Sequence, residues 1–477
     1  MMTAVKETRM LLGGEWVSRK ETITVRDPQD NTIFTTVPKA SVKDALYAIE
    51  SAKEGAKISA KLSVFERMNI IHKAVQYIED NKERYAQTIA TEGSKTITEA
   101  RAEVQRCMDT MRLSAEEARR MQGETIPFGQ REGGDNRIGY YYHFPVGIVV
   151  AITPFNDPLN LVAHKVGPAI ASGNAIIVKP ASLTPVSAIL LAEALDYAGL
   201  PRKVLQVITG NGGEIGDVLV THPAVRLVSF TGGFETGEAI AKKAGLKKIS
   251  MELGSNSPAI VLEDADVMDA VQSCVAGAFG AVGQNCLGVQ RIYVKEAVYH
   301  AFVEQFVAEA KKYIVGDKRS DETMMGPLIH EKEAIRIEKL VDEAVALGAT
   351  ILTGGERDGA FYMPTVLENV PRGAQIIEEE VFGPVVSIFK IDSVEEAIEL
   401  ANDVDYGLQA GIFTKNIDIA FKAIHNLEVG GVIVNDSSDY RVDAMPFGGV
   451  KGSGVGREGV KFAMEDMTEK KVVQFKL

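Results

Sequence analysis

Val146-Gly147-Ile148-Val149-Val150-Ala151-Ile152 is an uncharged apolar run, and Thr153-Pro154-Phe155-Asn156-Asp157-Pro158 follows it directly. A short apolar run without polar alternation predicts a strand covered on both faces. The pattern recurs at Ala175 to Val178, Val204 to Ile208 and Leu227 to Phe230, each followed by a helical run. That alternation predicts a parallel sheet between helices, and hence an α/β fold. A second alternating block begins at Ser257, with strands near Ala259 to Leu262, Arg291 to Val294, Val385 to Phe389, Gly411 to Phe413 and Gly431 to Val434. Amphipathic helices such as Ala297 to Tyr313 and Lys332 to Leu347 separate these strands. Two units of this kind predict two lobes with a ligand cleft between them.

Upstream, apolar residues spaced by three and four predict helices over Val42 to Ala56, Val64 to Thr91 and Thr98 to Met121. A polar, glycine-rich break follows at Gln122 to Asn136. Ile138 to His143 is aromatic and extended, and Lys470 to Leu477 alternates apolar with polar residues. Neither has an obvious core, so they read either as a surface hairpin and a frayed end or as edge strands that need a partner.

The length of 477 residues predicts two or three domains, and a composition of 45% hydrophobic and 25% charged residues is that of a soluble globular protein. A formal net charge of -13, without clustered Lys and Arg, argues against nucleic acid as a partner. Three cysteines, Cys107, Cys274 and Cys286, show no metal-ligand spacing and suit a reducing compartment. Met1 to Met10 contains no apolar run of signal length, and no stretch is long enough to span a membrane. The expected location is the cytoplasm.

Gly283-Gln284-Asn285-Cys286 follows a small-residue helix, Ala276 to Val282, and precedes the strand-like run Gln290 to Val294. A lone cysteine is more often a small core hydrophobe. At a helix-to-strand junction among polar and small residues, however, it is placed for nucleophilic attack on a carbonyl. Glu252 ends another apolar segment in Met251-Glu252-Leu253-Gly254. Its bland reading is a buried glutamate paired with a lysine such as Lys179. The glycines of Gly210-Asn211-Gly212-Gly213-Glu214-Ile215-Gly216 open a helix after a strand, but their spacing is not the usual dinucleotide fingerprint.

Asn156, Glu252, Cys286, Glu380 in Glu379-Glu380-Val381-Phe382-Gly383-Pro384, and Pro446-Phe447-Gly448-Gly449 occur in one order along the chain. In this the chain resembles the aldehyde dehydrogenase superfamily from about Leu12 to its end. Asn435 to Ser438 and Tyr440 to Pro446 are similar to its lactaldehyde dehydrogenase-like branch. The non-phosphorylating glyceraldehyde-3-phosphate dehydrogenases are a second likeness. The resemblance implies a Rossmann-type cofactor domain over residues 1–122 and 144–253, an α/β catalytic domain over 254–452, and a β-arm for oligomerisation at 123–143 and 468–477. It also implies a homodimer or homotetramer.

Further implications concern the site. Cys286 is the nucleophile, Asn156 an oxyanion donor together with the Cys286 N–H, and Glu252 the base that activates water. NADP or NAD lies against Thr153, Pro154, Phe155, Lys179 and Ser182. It also meets Gly212, Gly216, Phe230, Thr231, Gly232, Gly233, Gly237 and Leu253, with Glu380 on the nicotinamide ribose and Phe382 beside it. Ser182 stands where NAD-preferring members often carry Glu, which makes NADP acceptable; its bland reading is a helix N-cap. Arg106, Asp157, Asn285 and Arg441 are implied substrate contacts. Ser255 replaces the usual second glycine after Glu-Leu, which bears on pocket shape.

The function implied is NAD(P)-dependent oxidation of a short hydroxylated or anionic aldehyde, lactaldehyde-like, to its acid through a thioester. Glyceraldehyde 3-phosphate, sulfolactaldehyde, phosphonoacetaldehyde and succinate semialdehyde are alternative substrates. A catalytically silent nucleotide-binding protein is a reading from another class.

Overall fold

The computed structural model describes residues 8–477. Met1 to Val5 and the rest of the first seven positions, including the start of the expected cofactor domain and most of the segment weighed as a leader, lie outside the described residues.

Ile148–Ile152 is the middle of five parallel strands, in the order Leu205–Val207, Ala175–Lys179, Ile148–Ile152, Leu227–Thr231, Lys248–Glu252. The absence of polar alternation is explained by its two faces. Val149 and Ala151 pack with Val64–Asp80, Ile97–Glu117, Asn160–Ala171 and Val186–Tyr197. Ile148 and Val150 pack with Val42–Ser59, Gly212–Thr221 and Phe234–Ala244 on the other side. Antiparallel strands close the edges: Met10–Leu12 beside Leu205–Val207, and Gly454–Val455 beside Lys248–Glu252.

The second sheet runs Thr350–Thr353, Thr365–Glu368, Val385–Ile391, Val289–Lys295, Ser257–Val261, Gln409–Phe413, Gly431–Val434, parallel except for the first strand. Its two faces bury separate cores, one under Val267–Phe279, Glu296–Ala310 and Glu331–Leu347, the other under Val394–Asn402 and Ile417–Asn426. The third layer is an arm. Thr468–Lys476 pairs along its whole length with Arg137–Pro145, and Glu124–Thr125 pairs with the other edge of that strand. The two segments without a core therefore pair with each other.

Three expectations need correction. The helix expected over Val64 to Thr91 is two, Val64–Asp80 and Lys82–Glu92, because Asn81 leaves helical geometry and its side chain donates to the Tyr77 carbonyl. The first third is not purely helical, since Thr22–Arg26 and Ile33–Pro38 form a ribbon. The helix before the cysteine ends at Phe279 rather than Val282.

Beyond Phe279 the backbone turns left-handed at Ala281 (φ 51°), Val282 (φ 61°) and Gly283 (φ 66°). Non-glycine residues reach this region at a cost, so surrounding structure must hold them. The Glu99 carboxylate accepts from the Ala281 N–H at 2.7 Å, and the Gln284 amide bridges the Ser94 hydroxyl and the Ile329 N–H. A Cβ at Gly283 would lie 2.2 Å from the Gly383 carbonyl oxygen. Gly283→Ala is thus expected to destabilise the protein by roughly 1–3 kcal/mol. A lowered denaturation midpoint checks this, and an unchanged midpoint would show that the turn is not held against Gly383.

Candidate active site

Asn156 and Cys286 share one cavity of about 370 Å³ with Arg106, Asp157, Asn285 and Arg441. The strand Ile148–Ile152 ends just before Asn156, while the left-handed turn ends just before Cys286. Cys286 is half-buried against Leu287, Leu408 and Phe447. Burial pushes its thiol up to about 12, and the nearest opposing influence is Arg441, whose guanidinium stacks 3.7 Å above the Phe447 ring. The Asn156 side-chain amide has no protein partner among the described residues, so its N–H donors are available to a ligand.

Glu252 closes the strand Lys248–Glu252 and is 3% exposed. Among the described residues neither carboxylate oxygen has a hydrogen-bond partner. Burial, reinforced by nearby Glu458, holds this carboxyl well above its ordinary range. Lys179 is not its partner: the lysine Nζ donates to the Pro180 carbonyl at 3.1 Å. A Cβ at Gly448 would lie 2.8 Å from Glu252 Oε1, which explains the glycine in Pro446-Phe447-Gly448-Gly449.

Sequence reasoning missed the charges behind these groups. Lys165 Nζ lies 2.9 Å from both Glu458 Oε1 and Ser229 Oγ, and Arg441 approaches Glu458 Oε2 at 3.4 Å. Burial opposes ionisation of Glu458, but Lys165 and its cationic neighbours prevail and keep it charged. His164 Nε2 is 2.9 Å from Asp443 Oδ1, and burial together with Arg441 holds the imidazole below its usual value. A neutral ring protonated at Nε2 therefore donates to Asp443, which also binds Arg106 at 3.0 Å. Lys95, Glu99, Glu103 and Asp439 line the cavity as well. On a helix (Glu99, Glu103) or in a loop (Lys95, Asp439) such residues look like solvated charges, so only the fold could gather them.

The substrate contacts implied by resemblance all line this cavity, but their side chains are engaged. Arg106 pairs with Asp443 and Asp157, Asp157 also binds Lys95, and Asn285 donates to Asp439 while its Oδ1 accepts from the Leu287 N–H. Ser255 does not narrow the pocket, because its hydroxyl is buried and bonded to Ser257 at 2.9 Å.

The other expected group clusters at the C-terminal ends of the first sheet. Lys179 is buried without a carboxylate partner among the described residues, and burial lowers it to about 8. The helices Gly212–Thr221 and Phe234–Ala244 start without side-chain caps, and a Cβ at Gly213, Gly216 or Gly233 would meet nothing within 4 Å. Free N–H groups at helix starts, open backbone and a lone cation fit a dinucleotide diphosphate and ribose. The Thr153 hydroxyl is buried without a partner among the described residues, and Pro154 follows it. Phe155 meets Phe382 edge-on at 5.8 Å, and Glu380 accepts from the Ser255 N–H, its carboxyl pushed up to about 7 by burial. Ser182 is not a helix N-cap. It precedes Val186–Tyr197 by several residues and donates to the Gly210 carbonyl.

Several of the expected cofactor residues also make contacts within the protein. Phe230 lies in the core with its ring under Gly232, and Gly237 lets the helix sit on Leu253, whose Cδ2 would be 2.3 Å from an added Cβ. Thr231 turns its hydroxyl towards Glu458 at 3.4 Å.

This fold and site define an oxidoreductase built around a cysteine, and the chain belongs to the aldehyde dehydrogenase family, whose model matches residues 16–473. It is 45% identical over 476 residues to the 3-sulfolactaldehyde dehydrogenase of Priestia aryabhattai, covering 100% of this chain and 99% of that one. It is 48% identical over 451 residues to aspartate-semialdehyde dehydrogenase 1 of Pseudomonas canavaninivorans, covering 94% and 96%. Among solved structures it is similar to the glyceraldehyde-3-phosphate dehydrogenase GapN of Methanocaldococcus jannaschii complexed with NADP, at 41% identity and a TM-score of 0.93, covering 97% and 100%. The chain is an enzyme that oxidises aldehydes with NAD or NADP. The fold class and reaction class expected from sequence both hold.

Arg441 lowers the Cys286 pKa, so its loss makes the reactive thiolate rarer. One pKa unit corresponds to about a tenfold change in thiolate below the pKa. Arg441→Met should slow alkylation of Cys286 by iodoacetamide several-fold at pH 8, with rates converging at high pH. Equal rates across pH would separate Arg441 from the thiol.

Proposed function

We propose that this enzyme converts a short polar aldehyde to its carboxylic acid through a thioester on Cys286. The observation that carries the reading is a thiol and an unengaged amide, Asn156, in one cavity, with a buried unpaired carboxyl, Glu252, within electrostatic reach of the thiol. The Cys286 thiolate adds to the aldehyde carbon, and the carbonyl electron pair moves to oxygen. Asn156 and the Cys286 backbone N–H stabilise that oxyanion, often the largest effect in acyl-transfer chemistry. A bound NAD(P) would supply the hydride acceptor that brings the carbon to the oxidation level of an acid. Thr153, Phe155, Lys179, Gly212, Gly216 and Gly233 would hold it, with Glu380 and Phe382 on the nicotinamide side. Glu252 then takes a proton from water as it attacks the thioester carbon, and the Cys286 sulfur leaves.

For Glu252 to act as base it must first lose its proton, and charged Glu458 opposes this. Turnover limited by hydrolysis should therefore rise with pH. In Glu252→Gln a stoichiometric burst of reduced cofactor should appear and then stop, with the acyl group found on Cys286 by mass spectrometry. Cys286→Ala should give no burst. A burst-free Glu252→Gln would place Glu252 before hydride transfer.

On substrate, charge favours a neutral or singly anionic aldehyde such as lactaldehyde over a phosphate dianion. Lys95 is shared by Glu103 and Asp157, Arg106 by Asp157 and Asp443, and Arg441 faces Glu458. A clamp of two arginines is thus already partly neutralised, and Asn285 adds no third cation.

Domain division is assigned as expected from sequence, with residues 123–143 and 468–477 as the joining arm. No described helix is long and apolar enough to cross a membrane. The three free cysteines support a cytoplasmic location. Thr468–Lys476 is an edge strand, and Ile138, Tyr140, Val472 and Phe475 are exposed on the arm. Gly431–Val434 is likewise the edge of the second sheet. Unpaired edges with apolar side chains favour association between copies. Deleting residues 468–477 should turn a dimer or tetramer into monomer in sedimentation, whereas retained assembly would move the interface elsewhere.

A further inference from the structure

Leu253-Gly254-Ser255-Asn256 carries the chain from the first sheet to the second, between the strand that ends at Glu252 and the strand that begins at Ser257. Ser255 and Asn256 are buried, and both are tied to the loop that bears Glu380. The Asn256 side-chain amide donates to the Ile377 carbonyl at 2.6 Å and to the Glu379 carbonyl at 3.0 Å. Its orientation is fixed from behind. Asn256 Oδ1 accepts from Arg291 Nε at 3.1 Å, so the nitrogen must face the two carbonyls.

Gln290, next to Arg291, makes the second tie. Its Nε2 donates to the Ser255 carbonyl at 3.1 Å, and its Oε1 accepts from the Val381 N–H at 2.8 Å. The Ser255 N–H in turn donates to Glu380 Oε1 at 2.9 Å. Residues 377, 379, 380 and 381 are therefore all held from Ser255, Asn256 and Gln290.

What they hold is strained. Phe382 has a left-handed backbone (φ 46°), which a non-glycine residue keeps only where its surroundings impose it. Glu380 Oε2 lies over bare backbone, where a Cβ at Gly254 would come within 2.6 Å of it. Among the described residues that oxygen has no hydrogen-bond partner. The carboxylate is thus fixed by one oxygen and open at the other.

We propose that Asn256 and Gln290 are positioning residues for the cofactor, clamping the strained loop so that the open oxygen of Glu380 is in place for the nicotinamide ribose. This rests on the reading of Glu380 as a cofactor contact. A group ordered before its ligand arrives is not ordered at the ligand's expense, so the clamp strengthens binding without touching the cofactor. Gln290 lies just beyond Cys286 in the chain and Asn256 just beyond Glu252. The clamp therefore sets the ribose carboxylate in one frame with the thiol and the Glu252 carboxyl.

The test is a double-variant cycle read by isothermal titration with NADP and, separately, with NAD. Asn256→Asp keeps an acceptor for Arg291 and removes both donors to the loop. Gln290→Met keeps the size of the side chain and removes both of its bonds. Either change should weaken cofactor binding about tenfold, because the carboxylate must then be ordered on binding. In a Glu380→Gln background the same changes should cost less than about twofold, since the group through which they act is gone. A cooperative thermal transition shows that each variant is folded, and if one of the two does not fold the other reads the same cycle.

Equal losses in both backgrounds, or no loss in either, would overturn the proposal and leave Glu380 as a cofactor contact. Failure of both Asn256→Asp and Gln290→Met to fold would also overturn it, making the clamp part of the core. Glu380→Gln that binds NADP and NAD as tightly as wild type would remove the reading of Glu380 itself, and the proposal with it.

Discussion

The buried pair between Lys165 and Glu458 is the constraint on which the site depends. Charges removed from water persist only when paired and hydrogen-bonded. Here Ser229 supplies a further contact to Lys165, and Arg441 a further one to Glu458. The pair ties the helix Asn160–Ala171 to the strand Leu227–Thr231 and to the segment just before Val460–Asp466. Because it keeps Glu458 charged, it also disfavours charge on Glu252. Arg441, drawn towards Glu458, is thereby held over Phe447, near the thiol. Protonation of Glu252 and reactivity of the Cys286 thiol thus share one electrostatic origin.

How the two halves of the site come together follows from backbone rather than side-chain chemistry. Parallel strands end at the same edge, so residues just after them converge: Asn156, Lys179, Thr231 and Glu252 come from four adjacent strands. Cys286 arrives from the second sheet through three left-handed residues. Glu99 caps its own helix at Thr96 and also grips Ala281, so the start of one helix and the turn before Cys286 share a carboxylate.

Much of this was legible in the sequence. Ile148 to Ile152 reads as a two-faced strand because both faces are buried, and Asn156, Glu252 and Cys286 stand in short motifs set by tight local geometry. What escaped reading depended on distance along the chain. Lys95, Glu99, Glu103 and Asp439 carry no local signal, since a charge on a helix or in a loop looks the same whether it faces water or a cavity. Short strands such as Thr350–Thr353, exposed on an edge, lack the apolar run that marks central strands. Phe230 and Gly237, cofactor contacts by resemblance, also take part in helix-to-sheet packing, a second use that no local pattern announces. The left-handed turn was equally hidden, since alanine and valine give no hint of positive φ.

The arm joins strands that are about three hundred residues apart in sequence. During synthesis, Arg137–Pro145 emerges with its row of tyrosines long before Thr468–Lys476 exists to cover its edge. Glu458 and Arg441 also come late, after the first sheet's five parallel strands have left the ribosome. A nascent chain can therefore complete neither its electrostatics nor its aromatic strand until the final stretch is made. The charged pair behind the site and the paired arm are therefore completed by the same last stretch of chain.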